Sequence, residues 1–213
     1  MIQTLFHLIV DECRPPWRVA CVLFIALLSV ARGIEFQDVT QQTGISFVHT
    51  DGSSGKRYIV ETVTAGVALF DFDNDNDMDI YFLNGAPLRG TGVSDTPRNA
   101  LFRNDGDWRF TDVTATSGTG DTGYGLGVAI GDYDNDGNQD IYINNFGPNV
   151  LLRNNGQGRF TDVTQAAGVA NGHQVGAGAN FLDVDGDGDL DLFVANYVDF
   201  SYQNHQIARF NGY

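Results

Sequence analysis

The chain has 213 residues and a formal net charge of -15, with 27 acidic and 12 basic side chains. A surface this acidic will not bind DNA or anionic lipid by charge alone. Disorder of the whole chain is also excluded, because 15 Phe and 8 Tyr stand in apolar runs between the acidic clusters. We therefore expect a folded protein that binds no nucleic acid and meets acidic partners only through bridging cations.

The first 33 residues differ in composition from the rest of the chain. Arg14 and Arg18 precede an apolar stretch of 12 residues at 19–30, and small residues follow up to Ala31. This order predicts a secretory signal peptide at residues 1–31, cleaved after Ala31. The apolar stretch is shorter than the roughly 20 residues that span a bilayer, so no stable membrane insertion is expected after cleavage. A retained membrane anchor is the alternative.

Both cysteines of the chain, Cys13 and Cys21, lie inside this N-terminal segment. The mature chain would then have no disulfide and would depend on its core and on bound ions for stability. The predicted location is secreted, either extracellular or periplasmic, with association to a cell surface as one form of it.

Residues 34–213 are built from a repeated sequence unit. A Phe-x-Asp-Val-Thr pentapeptide begins at Phe36, Phe110 and Phe160, and an Asn-x-Leu-x-Arg-Asn block begins at Asn99 and Asn149. Short β-branched and aromatic runs are bounded by Gly, Asn and Asp, which is typical of strands. Each unit has the order strand, acidic loop, strand, turn, strand, turn, strand.

Turn and loop signals support an all-β fold. Asn and Gly at 104–106 and 154–156 predict hairpin turns, and an insertion rich in Gly, Pro, Thr and Ser occupies 86–97. Helical periodicity is limited to short turns near 113–117 and 163–168. Units of about 50 residues with four strands predict β-propeller blades of four-stranded antiparallel sheets. The length allows about three to four blades, which is a partial propeller.

An acidic nonapeptide occurs three times, each time between two predicted strands. Its copies begin at Asp71, Asp132 and Asp183 and contain 14 of the 27 acidic residues. Oxygens at positions 1, 3, 5 and 9, with the backbone carbonyl of position 7, can surround a hard cation that takes six to eight oxygen ligands. The predicted ligands are Asp71, Asp73, Asp75 and Asp79 with the Asp77 carbonyl, Asp132, Asp134, Asp136 and Asp140 with the Asn138 carbonyl, and Asp183, Asp185, Asp187 and Asp191 with the Asp189 carbonyl.

These loops differ from EF-hand loops. An EF-hand needs a bidentate Glu at loop position 12, where this chain has the apolar residues Phe82, Ile143 and Val194. The flanking segments are predicted strands rather than amphipathic helices. The carboxylate at position 9 is therefore expected to close each site.

Calcium is the predicted cofactor, with about three ions. Magnesium demands a tighter octahedron and dehydrates reluctantly, and zinc would need Cys or clustered His, which the mature chain lacks. The alternative is that these loops are metal-free, because Asp, Asn and Gly also form Asx turns on protein surfaces.

The motifs resemble the FG-GAP/VCBS repeats of integrin α-subunit propellers and of bacterial surface proteins. The order of segments from Ile34 onward, with the pentapeptide at Phe36 before three acidic loops, is similar to the N-terminal part of bacterial homologues of cartilage acidic protein, which carry an additional ASPIC/UnbV domain. The resemblance implies an integrin α-like propeller with calcium in its loops and a role in cell adhesion. Such propellers close with more blades than this chain can form. A fragment of a longer gene is therefore expected, and closure by oligomerisation is the alternative.

No catalytic residues are predicted. The acidic pairs are explained by metal ligation, and none of the mature histidines, His49, His173 and His205, lies in a nucleophile motif. The Gly-rich run 123–127 lacks the Lys-Ser/Thr of a phosphate loop and is predicted to allow close strand packing. The predicted function is a non-catalytic adhesion or interaction module with a protein or glycan surface ligand. The alternatives are the propeller part of a calcium-dependent, lyase-like carbohydrate-active enzyme, and a functional surface lined by His49 and Glu61.

Overall fold

A computed structural model describes residues 36–92 and 96–205. The chain divides into two compact units, Met1–Gln37 and Asp38–Tyr213, and all the secondary structure given below lies in the second. The predicted signal peptide at 1–31 lies outside the described residues. Within the described ranges, no helix has the length and apolar character needed to cross a membrane.

The first blade is an antiparallel sheet of four strands in sequence order. Two 3-10 turns precede it, at Thr40–Gln42 and Ile59–Thr62, and a single helical turn, α1 (Thr114–Ser117), follows it. Its strands are β1 (Gly66–Phe70), β2 (Asp79–Leu83), β3 (Ala100–Asn104) and β4 (Phe110–Asp112).

The second blade repeats this order, and a third blade begins after it. The second blade has the strands β5 (Tyr124–Gly131), β6 (Asp140–Phe146), β7 (Val150–Asn154) and β8 (Phe160–Asp162), followed by the helical turn α2 (Thr164–Ala167). The third is the hairpin of β9 (Val175–Leu182) and β10 (Asp191–Val198). The predicted all-β fold of four-stranded antiparallel blades is confirmed. The described residues contain two complete blades and the inner hairpin of a third.

Alternating strand residues form a separate apolar layer on each side of the second blade. One layer packs first-blade residues such as Phe70 and Tyr81 against Ile141 and Ile143 of the second blade. The other packs Tyr142 of the second blade with residues of the third. A fully buried side chain of this size contributes about 1.5 to 3 kcal/mol, so contact between blades is a main source of stability.

The structure explains why the pentapeptide recurs. Asp112 Oδ1 accepts a hydrogen bond from the amide of Thr114 (2.9 Å), and Thr114 Oγ1 accepts one from the amide of Leu101 in β3 (2.9 Å). The same bonds, at 2.9 and 2.8 Å, join Asp162, Thr164 and Leu151 in the second blade. The Asp and Thr of the motif therefore fasten the end of each blade to its own third strand.

The predicted close packing at the Gly-rich run is also confirmed. A Cβ on Gly125 would lie 3.0 Å from the Cβ of Leu83 in the first blade, and a Cβ on Gly127 would lie 3.1 Å from the carbonyl oxygen of Ala177 in β9 of the third. Glycine at these positions lets the inner strands of neighbouring blades approach each other.

Candidate metal sites

The three acidic loops lie side by side at one end of the blades. They connect β1 to β2, β5 to β6 and β9 to β10. Asn74 Nδ2 in the first loop donates to Asn138 Oδ1 in the second (3.0 Å), and Asn135 Nδ2 in the second loop donates to Asp189 Oδ1 in the third (2.7 Å). In each of the first two loops, the side-chain amide of the Asn at position 4 therefore binds the residue at position 7 of the following loop.

Each loop brings three carboxylates together. In every case one oxygen from each of three Asp side chains lies within 4.8 Å of the others. The three groups are Asp71, Asp73 and Asp79, then Asp132, Asp134 and Asp136, then Asp183, Asp185 and Asp191. All of these residues belong to the predicted ligand sets.

The predicted ligands at loop position 5 form hydrogen bonds with the loop backbone. At loop position 5, Asp75 Oδ1 accepts a hydrogen bond from the backbone amide of Asp77 (2.9 Å). Asp187 Oδ1 accepts the corresponding bond from the backbone amide of Asp189 (2.9 Å). These two carboxylates lie outside the groups of three. In the second loop Asp136 makes the same bond to the Asn138 amide (2.9 Å) while also belonging to its group.

The first Asp of each loop holds the turn. Asp71 accepts from the amides of Asp75 (3.1 Å) and Asn76 (2.8 Å), and Asp132 and Asp183 make the corresponding bonds. The turn places loop positions 4 and 6 at positive φ, as at Asn74 (61°) and Asn76 (70°). Asn or Gly, which tolerate this backbone conformation, stand at both positions in all three copies. This pattern predicts the sharp turn at position 6, whereas the need at position 4 is apparent only from the structure.

The position 9 carboxylate is buried in the first two loops. Asp79 accepts from the amide of Phe72 within its loop (3.0 Å) and from the amide of Asn104 at the end of β3 (2.8 Å). Asp140 has the same arrangement, because its Oδ1 accepts a hydrogen bond from the backbone amide of Asn154 at the end of β7 (2.7 Å). Both Asp side chains are fully buried, and this burial raises the pKa of each to about 6.

Asp140 lies outside the group of three in its own loop. In the third loop Asp191 belongs to its group, but it is exposed. It accepts from the Val184 amide of its own loop (3.1 Å), and the described residues contain no third strand in this blade to supply a second amide. The same motif thus stands in two environments.

An asparagine at the end of β7 reaches back to the first blade. Asn154 Nδ2 donates to the carbonyl oxygen of Phe72 (2.7 Å) in the first acidic loop and to that of Gln139 (3.2 Å) in the second. Phe72 itself is buried, with its ring 6.4 Å from that of Phe160. The backbone of the first loop is therefore held in part by the second blade.

Among the described residues, no cationic side chain forms an ion pair with a carboxylate of the first loop, although the charge of Arg103 lowers the pKa of Asp73 in part. Asp73 Oδ1 is buried and has no hydrogen-bond partner among the described residues. Burial, followed by the charges of Asp75 and Asp71, raises the pKa of Asp73. The nearby Arg103 forms its ion pair with Asp105 (2.7 Å) instead. A buried carboxylate oxygen without a partner, within an all-oxygen group, fits a hard cation.

A family model for FG-GAP-like repeats matches residues 88–143 and 132–194, which together make up half of the chain. The chain belongs to the FG-GAP-like repeat family. The matched ranges include the second and third acidic loops, while the first loop lies before them. The match does not extend to the narrower resemblance to ASPIC/UnbV-type homologues of cartilage acidic protein, which stays a prediction. No curated protein matches the chain.

The FG-GAP-like chain has a second concave region near the strand ends that lie away from the acidic loops. A cavity of about 620 Å³ is lined by charged residues, including Asp51, Arg57 and Glu61, and by His205. Glu61 accepts from both the amide and the hydroxyl of Ser54 (3.1 and 2.8 Å). The His205 ring packs at 4.8 Å from the Tyr58 ring.

The candidate histidines do not form one site. His49 lies in a separate groove beside Phe47 and Phe82, whereas Glu61 lines the cavity with His205. His173 is exposed. The structure therefore does not bring His49 and Glu61 together around one cavity.

Proposed function

We propose that this chain is a calcium-binding, non-catalytic interaction module, in which about three Ca²⁺ ions clamp the acidic loops at one end of its blades. The observation that carries the proposal is the convergence of three carboxylates in each of three equivalent loops. In the first loop this convergence leaves one buried oxygen of Asp73 without a partner. Like charges held this close repel one another, and a divalent cation between them reverses the sign of the interaction.

The chemistry of the ligands favours calcium over magnesium. All the proposed ligands are oxygens, and Mg²⁺ needs a near-ideal octahedron and usually keeps several of its waters, whereas Ca²⁺ accepts six to eight protein oxygens in flexible geometry. The oxygens of each group of three lie within 4.8 Å of one another, a span that admits either ion. The oxygens of Asp75, Asp140 and Asp187 and the position 7 carbonyls would complete each shell. We expect dissociation constants on the order of micromolar to millimolar, the range from sensors to extracellular modules.

Calorimetric titration of the full chain tests the calcium sites. We expect chelated protein to take up about three Ca²⁺ per chain and to respond much less to Mg²⁺ at the same concentration. An Asp73→Asn variant should lose one site, while Asp107→Asn, at an exposed position outside the loops, should bind as the unchanged chain does. Absence of saturable heat with Ca²⁺ in a folded protein would refute this proposal.

We also propose that the protein acts outside the cytoplasm. The support is the predicted signal peptide at 1–31, together with the absence of cysteine after residue 31. Calcium sites of modest affinity would be filled at the millimolar calcium of extracellular fluids. N-terminal sequencing of the exported protein should find Arg32 as its first residue. Recovery of the uncleaved chain in the membrane fraction would favour the retained anchor.

The ligand is proposed to be a protein or glycan on a cell surface. An FG-GAP scaffold stiffened by ions presents its loops in fixed positions, and this rigidity lowers the entropy cost of binding a partner. Calcium-dependent, saturable adhesion of the purified chain to cells or immobilised glycans would support this role.

The alternative, a lyase-like enzyme, is tested by ultraviolet absorbance of unsaturated products from acidic glycans. Calcium-dependent turnover that Glu61→Gln abolishes would establish it and place the chemistry in the cavity that Glu61 lines. We expect no turnover.

A further inference from the structure

The described part of the chain contains eight glycines that directly follow Asn or Asp. In such a pair the glycine nitrogen can attack the side-chain carbonyl carbon of the preceding residue, because glycine has no Cβ to obstruct the approach. Whether a pair reacts depends on how the fold holds that nitrogen. The pairs are Asp51-Gly52, Asn84-Gly85, Asp105-Gly106, Asp136-Gly137, Asn155-Gly156, Asn171-Gly172, Asp185-Gly186 and Asp187-Gly188.

Seven of these eight glycine amides donate a hydrogen bond. An amide that donates must give up its bond before the nitrogen can lose its proton and attack, so the fold protects these seven pairs. The acceptors are Thr50 Oγ1 for Gly52 (3.2 Å), the Thr50 carbonyl for Gly85 (3.0 Å), Asn104 Oδ1 for Gly106 (3.0 Å), Asp132 Oδ2 for Gly137 (2.9 Å), Asn154 Oδ1 for Gly156 (3.0 Å), Asp183 Oδ1 for Gly186 (2.7 Å) and Asp183 Oδ2 for Gly188 (3.0 Å).

The eighth pair, in the turn between α2 and β9, is held differently. The amide of Gly172 donates no hydrogen bond within the described residues. Asn171 and Gly172 are both exposed, with φ angles of 54° and 66°. The Asn171 side chain makes one exposed hydrogen bond, from its Nδ2 to Asn196 Oδ1 (3.0 Å). The Gly172 nitrogen can therefore approach the Asn171 side chain without the loss of any backbone hydrogen bond.

The exposure of this turn does not depend on the strands that complete a blade. Counted from the glycine that ends each helical turn, Asn171 and Gly172 correspond to Asp121 and Thr122 in the turn before the second blade. Thr122 is exposed, although the second blade has all four of its strands. The position of the attacking nitrogen thus faces solvent beside a complete blade as well.

The same correspondence shows that aspartate is compatible with this turn. Asp121 Oδ2 accepts a hydrogen bond from Asn145 Nδ2 (3.3 Å), and Asn196 aligns with Asn145 in the third blade. Rotation of the Asn196 side-chain amide would give aspartate at position 171 the same partner. The second blade therefore contains the aspartate form of a pair that the third blade contains as two asparagines.

We propose that Asn171 is a site of spontaneous deamidation, with water as the only co-reactant. The Gly172 nitrogen loses its proton to solvent and forms a bond to Asn171 Cγ, and the bond from Cγ to Nδ2 breaks as ammonia leaves. Water then opens the resulting succinimide at one of its two carbonyl carbons, which gives aspartate or isoaspartate. One water is consumed, one ammonia is released and one negative charge is gained. The reaction needs no calcium, so this proposal is independent of the proposed function.

Isoaspartate at this position would alter a connection between the second and third blades. The carbonyl oxygen of Ala170 accepts from the amide of Asn149 (2.8 Å), and that of Gln174 accepts from the amide of Gly147 (3.0 Å). These bonds attach both ends of the turn to the loop between β6 and β7. Isoaspartate lengthens the backbone between them by one methylene, whereas aspartate leaves its length unchanged.

Peptide mapping by mass spectrometry tests the site. The full chain is kept folded at mildly alkaline pH in calcium-containing buffer, sampled over time and digested after Lys and Arg, which places Asn84, Asn155 and Asn171 in three different peptides. The Asn-Gly pair at 211–212 lies outside the described residues and falls in a peptide of its own. We expect Asn171 to deamidate faster than Asn155 by a factor of roughly 2 to 10, which corresponds to opening one hydrogen bond. Buried Asn84 should react most slowly.

The unfolded chain provides the matched control. In urea the three sites should deamidate at similar rates, because each is an Asn followed by Gly and the fold no longer protects any of them. Asn171→Gln should remove the fast reaction of the folded chain, since the longer side chain would have to close a larger ring. Asn155→Gln should leave the rate at Asn171 unchanged.

Two results would overturn the proposal. Deamidation of Asn155 or Asn84 in the folded chain as fast as that of Asn171 would show that the glycine hydrogen bonds do not protect. A folded chain in which Asn171 stays intact while the unfolded chain reacts would show that the turn prevents the attack despite its exposed amide.

Discussion

The first and third acidic loops have nearly the same sequence pattern but different surroundings. In the first loop, Asp79 is fully buried and takes one amide from its loop and another from β3. In the third loop, the equivalent Asp191 is exposed and takes an amide from its loop alone. The nonapeptide therefore determines the loop conformation, whereas the third strand of the blade and the neighbouring blade determine how deeply its closing carboxylate is buried.

Removal of calcium should lower the stability of the protein more than any other change, and it should affect the first and the third loop alike. Each filled site contributes about 2.7 kcal/mol to the free energy of unfolding at a hundredfold excess over its dissociation constant, which corresponds to roughly 5 to 10 °C in melting temperature for a chain of this size. Differential scanning calorimetry with calcium and after chelation measures this shift. A shift below one degree would contradict the calcium proposal for all three loops.

Truncation of the position 9 carboxylate should then separate the two loops. Asp79→Ala leaves the amides of Phe72 and Asn104 without a partner, and each buried unpaired group costs about 1 to 3 kcal/mol. Asp191→Ala leaves only the exposed amide of Val184, which water can bind, so its cost should be well under 1 kcal/mol. Urea unfolding of the chelated proteins compares them. Equal losses for the two variants would show that the closing carboxylates of the first and third loops do not differ in their contribution to stability.

The metal-free protein should be more stable at pH 5 than at pH 7. Asp79 and Asp140 have a pKa of about 6 in the folded chain, against 3.8 as the ordinary value. Folding therefore favours their protonated forms, and the penalty for ionising them appears as pH rises through 6. Bound calcium favours the ionised forms, so its affinity should fall over the same range.

Melting temperatures of dialysed, metal-free protein at several pH values between 5 and 7 test this dependence. The double variant Asp79→Asn, Asp140→Asn should flatten the profile. A metal-free stability that rises with pH over this range would contradict the expected sign.

The smallest expected loss of stability follows from removing the Asn side-chain amides that link neighbouring loops. Asn135→Ala removes the bond to Asp189 Oδ1 (2.7 Å), and Asn74→Ala removes the bond to Asn138 Oδ1 (3.0 Å). Exposed bonds of this kind contribute about 0.5 to 1.5 kcal/mol at most. The third loop should loosen more than the second, because no third strand supports it in the described residues. Hydrogen exchange of the amides at 132–140 and 183–191 would detect the difference.

The sequence was sufficient to predict the loops because their geometry is local. The Asp at position 1 bonds amides four and five residues later, so the pattern of Asp, Asn and Gly already determines the turn. The sequence shows that the pentapeptide is a repeat. It does not predict the hydrogen bond that Thr114 accepts from the amide of Leu101, because that bond crosses a hairpin. Contacts between strands such as this one depend on register, which composition does not specify.

The environment of each site could not be predicted because it depends on residues distant in the chain. Phe72, Tyr133 and Val184 share loop position 2, yet Phe72 is 3% exposed and Val184 is 69% exposed. Only the packing of a following blade distinguishes them. The amide of Asn104 that reaches Asp79 likewise comes from 25 residues away. Burial and raised pKa values are therefore tertiary properties of this fold.

The hydrogen bond from Asn154 to the carbonyl oxygen of Phe72 crosses 82 residues of sequence. Because of it, the first loop is supported in part by another repeat: the carbonyl oxygen of Phe72 has this partner only while the second blade is complete to the end of β7. Gain or loss of repeats, in evolution or in the laboratory, would therefore preserve this support only where an intact neighbour follows the loop.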